Sequence, residues 1–172
     1  MELMSYMDKG GVIMYILLGL NIVGFTIMIV KFLQYMFASS KGERIVSEVY
    51  HDIAGQEKEA QLALSRDILT AKMVGYEKGL STVRIIASIA PLLGLLGTVV
   101  GVLSAFDAIS KAGLGDPSIF ASGISLALIT TVGGLIVAIP HYIGYNYLVG
   151  MLDKIEAGLG KEMSQKIYGE AS

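Results

Sequence analysis

Cysteine and tryptophan are absent from this chain of 172 residues, proline occurs three times and histidine twice. Without cysteine there is no disulfide, no thiolate nucleophile and no sulfur ligand for a metal. Charge is scarce too: Asp, Glu, Lys and Arg make up 16% of the residues, well under the roughly 25% of a soluble domain. A net charge of −2 argues against a nucleic-acid partner, which demands a basic face. The scarcity is concentrated in three places. Residues 10–30, 85–106 and 117–152 contain no Asp, Glu, Lys or Arg, and each run is at least as long as the ~20 apolar residues that cross a hydrocarbon core.

What remains is apolar and rich in glycine. Hydrophobic residues account for 53% of the chain and glycine for 21 positions, with a mean hydropathy of +0.64. Glycine weakens a soluble helix but lets membrane helices approach closely. The expected fold is all-α, a three-span transmembrane helical bundle with helical cytoplasmic extensions. Residues 1–38 are read as an outside N-terminal segment and the first transmembrane helix, and 39–84 as a cytoplasmic helical loop. The second span then covers 85–112, a short outside turn 113–116, the third span 117–152 and a cytoplasmic tail 153–172. Glu2 and Asp8 offset Lys9 where an export signal carries net positive charge, so the first span reads as a retained anchor.

Orientation follows from the basic residues. Eleven of the 13 Lys and Arg fall in the first loop and the C-terminal tail or at their edges, leaving only Lys9 and Lys111 on the other side. The positive-inside rule puts the N-terminus outside.

In the loop, Ile45, Val49, Ile53, Leu62, Leu64, Ile68, Leu69 and Val74 have spacings suited to amphipathic helices packed together. The region has no glycine-rich phosphate loop, and His51 with Asp52 lacks the spacing of a metal site. No cofactor or metal site is expected. Nor does any span bring together a nucleophile, a base and metal ligands, so the chain does not read as an enzyme.

The second span carries a seam of small residues. Ala87, Gly94 and Gly101 recur every seven positions, as do Ala90, Gly97 and Ser104, which predicts a neighbouring helix along that face. The third span repeats the theme with Gly123, Ala127, Thr130, Gly134 and Ala138 at spacings of three and four. Asp116 and Pro117 suit the N-cap and first turn of that span. Counting from a turn centred on Leu114 and Gly115, Thr98 and Thr131 lie 16 residues away on either side, which is ~24 Å along antiparallel helices. They are expected to share one depth. A buried threonine commonly bonds its own backbone one turn back, and that reading stands beside a functional one. Pro91 and Pro140 are expected to kink their helices, since each removes a backbone donor. His141, next to Tyr142, Tyr145 and Tyr147, is read as part of an interfacial aromatic belt rather than a proton relay. Asn21 reads as a bond between helices.

The stretch Ala90-Pro91-Leu92-Leu93-Gly94-Leu95-Leu96-Gly97-Thr98-Val99-Val100-Gly101 resembles the second-span motif of the ExbB, TolQ and MotA proton-channel family. The stretch from Leu126 through Thr130-Thr131 to Pro140, followed by Tyr145-Asn146, resembles its third-span motif. Three spans rather than four favour the ExbB/TolQ branch. The resemblance implies a subunit of the bacterial cytoplasmic membrane that forms a homo-oligomeric ring, a pentamer, around single-span partners like ExbD or TolR that carry an intramembrane Asp. A TonB-like or TolA-like protein is a further implied partner, and membrane lipid surrounds the ring. Proton flow would then energise outer-membrane transport or envelope maintenance. By position Thr98 and Thr131, with Thr130 beside them, match residues lining the ion pathway. Leu126 departs from the pattern, for a glutamate usually stands five residues before the third-span threonine, and the cytoplasmic loop is short. A scaffold that holds a single-span partner without conducting is the alternative that Leu126 keeps open.

Overall fold

A computed structural model describes the backbone of residues 3–112 and 117–169, and side chains over 6–111 and 121–169. Five helices follow one another: α1 Leu3–Ser40, α2 Gly42–Ile53, α3 Lys58–Glu77, α4 Leu80–Ala112 and α5 Pro117–Gly169. The described residues contain no strand. Three helices are long and apolar enough to cross a membrane, over Tyr6–Ser40, Leu80–Lys111 and Ala121–Gly169. The turn expected at 113–116, with the Asp116 cap, lies outside the described residues.

The chain divides into two compact units. One comprises residues up to Thr26 together with Thr82–Gly144, and the other Ile27–Ser81 together with the chain from Tyr145 onward. The first contains the uncharged length of α4 and most of those of α1 and α5. Leu17, Ile86, Ala90, Val137 and Ala138 form its buried cluster.

The second unit has a core of larger side chains. Tyr35, Val49, Ile53, Leu69, Met73 and Met163 are among its buried residues. The loop helices α2 and α3 turn the expected apolar positions inward, except for Val74, which is 53% exposed. On α3 the inner face also takes Gln61 and Ser65. Gln61 Nε2 donates to Gln56 O at 2.9 Å, and Ser65 Oγ to Leu62 O at 2.9 Å. Their polar atoms are therefore paired, as burial requires.

The tail is not a separate element. Helix α5 is 53 residues long, ~80 Å at the usual rise, and passes through position 152 unbroken. Leu152, Leu159, Met163 and Ile167 continue its buried stripe at helical spacing. Charge resumes at Asp153 and Lys154, but a change of solvent does not end a helix. Between α3 and α4 the chain turns on Gly79 at φ 94, a region that L side chains rarely adopt. Just before that turn, the carbonyl of Tyr76 accepts from Lys31 Nζ at 3.0 Å and Tyr35 Oη at 2.9 Å. An orphan carbonyl at a helix C-terminus is thereby capped by a cation and a phenol.

Candidate functional site

The small-residue stripes of α4 and α5 meet. Gly94 lies against the backbone of Thr130 and Thr131, where an added Cβ would come 2.8 Å from Thr130 O. Gly97 faces the Thr130 side chain, Gly101 the carbonyl of Gly123 and the amide of Ala127, and Gly134 the carbonyl of Ala90. A Cβ on Gly101 would sit 2.6 Å from Gly123 O, and one on Gly134 2.5 Å from Ala90 O. These neighbours are backbone atoms and cannot rotate aside. Glycine here permits a close approach of two helices, which lets dispersion act between their backbones.

The seam departs from a strict heptad at its far end. Ala87, Ala90 and Ala127 are buried, but Ser104 is exposed and Ala105, 2% exposed, packs against Gly123 in its place. A straight helix repeats every 3.6 residues and so drifts ~20° per heptad against a seven-residue repeat. Over two heptads Ser104 has turned ~40° away from the line of Ala90, while Ala105, five full turns beyond Ala87, stays on that residue's line. Ser104 is thus corrected from a packing to an outward position. At Pro91 and Pro140 the helices continue. The non-helical backbone within α1 is at Gly11, with φ 59 and ψ −153, a break that no proline marks.

The three threonines take different roles. Thr130 is fully buried between α4 and α5, and its hydroxyl lies 3.0 Å from the carbonyls of both Leu126 and Ala127. Thr98 is half-buried and donates to Leu95 O at 2.6 Å. Thr131, also half-buried, lies 3.2 Å from Ala127 O on its own helix and 3.5 Å from Gly94 O across the seam. The hydroxyls of Thr98 and Thr131 therefore meet adjacent carbonyls of one turn of α4. Thr131 stands opposite Gly94, four residues from Thr98, so their depths differ by ~6 Å, about one helical turn. Counting from the turn misses this offset because the register is set by which glycines interlock.

His141 is not at the surface. It is 0% exposed, seated against Gly24 of α1 and edge-on to Phe25, ring centroids 5.0 Å apart. Tyr142 and Tyr147 of the same cluster are each 65% exposed. The sequence signal for His141 was Gly24, a small residue on the first span opposite a bulky polar one on the third. That pairing is invisible until the helices are docked. Among the described residues no group of three or more His, Asp or Glu is placed to hold a metal ion.

A close pair of helices with small-residue faces, an invading threonine and no internal carboxylate narrows the comparison with known proteins. The model of the MotA/TolQ/ExbB proton channel family matches residues 33–160. The chain belongs to that family. Among curated relatives, an ExbB homolog of Methanothermobacter thermautotrophicus is 38% identical over 110 residues, covering 64% of this chain and 38% of the relative. The biopolymer transport protein ExbB of Aquifex aeolicus is 47% identical over 72 residues, 42% of this chain and 49% of its own. The Tol-Pal system protein TolQ of Haemophilus influenzae is 36% identical over 108 residues, 63% of this chain and 45% of its own. The chain thus spans less than half the length of these relatives. The family match and the three apolar helices make it a multi-pass protein of the inner membrane.

Proposed function

We propose that this chain is an ExbB/TolQ-like subunit of an ion-driven motor, passing protons along a pore shared with a single-span ExbD/TolR-like partner. The observation that carries the reading is the convergence of Thr98 and Thr131 on the carbonyls of Leu95 and Gly94. Hydroxyls can donate and accept, so they can hand hydrogen bonds between backbone, water and an incoming group. A relay through hydrocarbon also needs a titratable group, and such groups are costly enough in a membrane to be kept for function. The uncharged runs of this chain have no carboxylate. The partner helix supplies it, an Asp near the level of Thr98 and Thr131, and a ring of copies, five by resemblance, encloses it. Thr130, packed on Gly97, supports this wall from behind rather than facing the ions. In this reading the N-terminus is outside, the C-terminus is cytoplasmic, and the motion of the partner reaches a TonB-like or TolA-like protein to serve outer-membrane transport or envelope maintenance.

Liposomes test it. The chain alone is expected to give no proton flux above background, and the chain with its partner to conduct. Thr98→Val and Thr131→Val, which keep shape but remove the hydroxyl, should abolish flux while assembly persists, and Thr→Ser should retain much of it. Selective flux from the chain alone, or full flux in both valine variants, overturns the reading. The scaffold alternative is favoured by one feature, the backbone bonds that already occupy the hydroxyls of Thr98 and Thr131. It predicts partner binding with no flux in any combination.

A further inference from the structure

Among the described residues, one buried side-chain polar atom has no hydrogen-bond partner, His141 Nε2. The other ring nitrogen, Nδ1, lies 2.7 Å from the carbonyl of Val137. A carbonyl only accepts, so Nδ1 carries the proton and the neutral ring leaves Nε2 as a bare lone pair. That lone pair is covered by Gly24. A methyl group at Gly24 would overlap Nε2 and Cδ2 of the ring and come 3.2 Å from Ile86 Cδ1. Phe25 closes the other side, its ring at 70° to the imidazole. One ring therefore joins α1, α4 and α5.

None of the described residues seen against the ring is ionised. Gly24 and Phe25 from α1 and Ile86 from α4 are uncharged, and so are the runs 10–30 and 85–106 to which they belong. The nearest charge on α1, Lys31, is bonded to Gln34 Oε1 and Tyr76 O. The nearest on α4, Arg84, is exposed, and the titratable neighbours on α5 are the exposed Tyr142 and the half-buried Tyr145.

We propose that His141 is a pH-sensitive latch that seats the first span against the other two. With the ring neutral, Nε2 is sealed against Gly24 and the seat is closed. A proton added to Nε2 creates a charged N–H donor aimed at a Cα with no acceptor in reach, and burial of such a group is unfavourable. The ring can satisfy it only by turning toward water, which withdraws it from the Gly24 notch and loosens α1. This is a charge change at one site biasing a packed element, and it stands apart from the ion-pathway reading.

Hydrogen exchange on the full chain in lipid nanodiscs tests it, comparing about pH 7.5 with about pH 5. After correction for intrinsic exchange, protection of residues 20–28 should fall about tenfold or more on acidification. His141→Phe, which keeps a ring but cannot take the proton, should stay protected at both, and Gly24→Ala should be loosened already at neutral pH. Unchanged protection in the wild type, or an equal fall in His141→Phe, overturns the latch. Nitrogen-15 spectra of histidine-labelled wild type give a reading that needs no variant, with the exposed His51 as control. A protonated Nδ1 and bare Nε2 at neutral pH, followed by protonation with loss of the Phe25 contact, support the proposal. Protonation with that contact intact, or no protonation at all, defeats it.

Discussion

The two units of this chain are held together by different means. In the unit of uncharged spans α4 meets α5 through glycine and alanine against backbone, as where Gly101 meets Gly123 and Gly134 meets Ala90. In the other unit they are large side chains, with Tyr35, Val49, Ile53 and Met163 fully covered. The solvent explains the contrast. Lipid tails are as apolar as leucine, so burying leucine between membrane helices gains little, and helices instead gain from approaching closely. Water makes burial itself favourable at ~25 cal/mol per Å² of apolar surface, so bulk is used. The same rule explains the exposed Leu92, Leu95, Leu103 and Ile136 of the first unit, all at least 58% exposed, which would be a liability on a soluble protein.

The sharpest way to break this comparison is to put bulk into the seam. Gly101→Leu forces atoms against the backbone of Gly123 and Ala127 and is expected to cost ~3 kcal/mol or more, read as the midpoint of detergent-driven unfolding by circular dichroism. An unchanged midpoint would show that the seam does not hold α4 to α5. The converse change removes bulk from the other unit. Ile53→Ala empties a fully buried site and should cost ~2–4 kcal/mol, whereas Leu103→Ala on an exposed face should stay within ~0.5 kcal/mol. Equal losses at the two positions would erase the distinction.

A smaller effect probes the polar cap. Tyr35→Phe removes one of the two donors to Tyr76 O and should cost ~1 kcal/mol, since Lys31 still serves the carbonyl. The smallest effect concerns Glu48, whose carboxyl is held below its ordinary 4.5 by the hydrogen bond from Arg44, with Lys72 also contributing. Because the folded state depresses this pKa, its stabilisation is present above pH 4.5 and is lost as pH falls through the lower folded value. The group is exposed, so salt should erase the difference between wild type and Glu48→Gln above pH 4.5. A difference that survives high salt would mean the pair is more sheltered than its exposure implies.

Much of the fold was legible because it rests on local patterns. Uncharged runs marked the spans, and the recurrence of Ala87, Ala90, Gly94, Gly97 and Gly101 marked the face that packs. The loop helices followed from apolar spacing, with Val74 misassigned because periodicity alone cannot tell the edge of a buried stripe from its centre. Gln61 and Ser65 escaped notice because their burial depends on partners, Gln56 O and Leu62 O, that compensate for polarity. The tail was separated from the third span because charge resumes at Asp153, although the hydrogen-bond ladder of α5 does not respond to that change.

By itself the sequence determined the helical class, the number of spans, the small-residue faces and the positions of Thr98 and Thr131 along their helices. Those properties depend on composition and on the 3.6-residue repeat, which every residue reports locally. Only the tertiary structure decided that Ala105 replaces Ser104 in the seam, that Thr130 is buried while Thr98 and Thr131 reach adjacent carbonyls, and that His141 is sealed on Gly24. Each is a matter of register between helices distant in sequence. Register is chosen by the fit of whole surfaces at contact distance, and close packing makes that fit depend on all of its members at once.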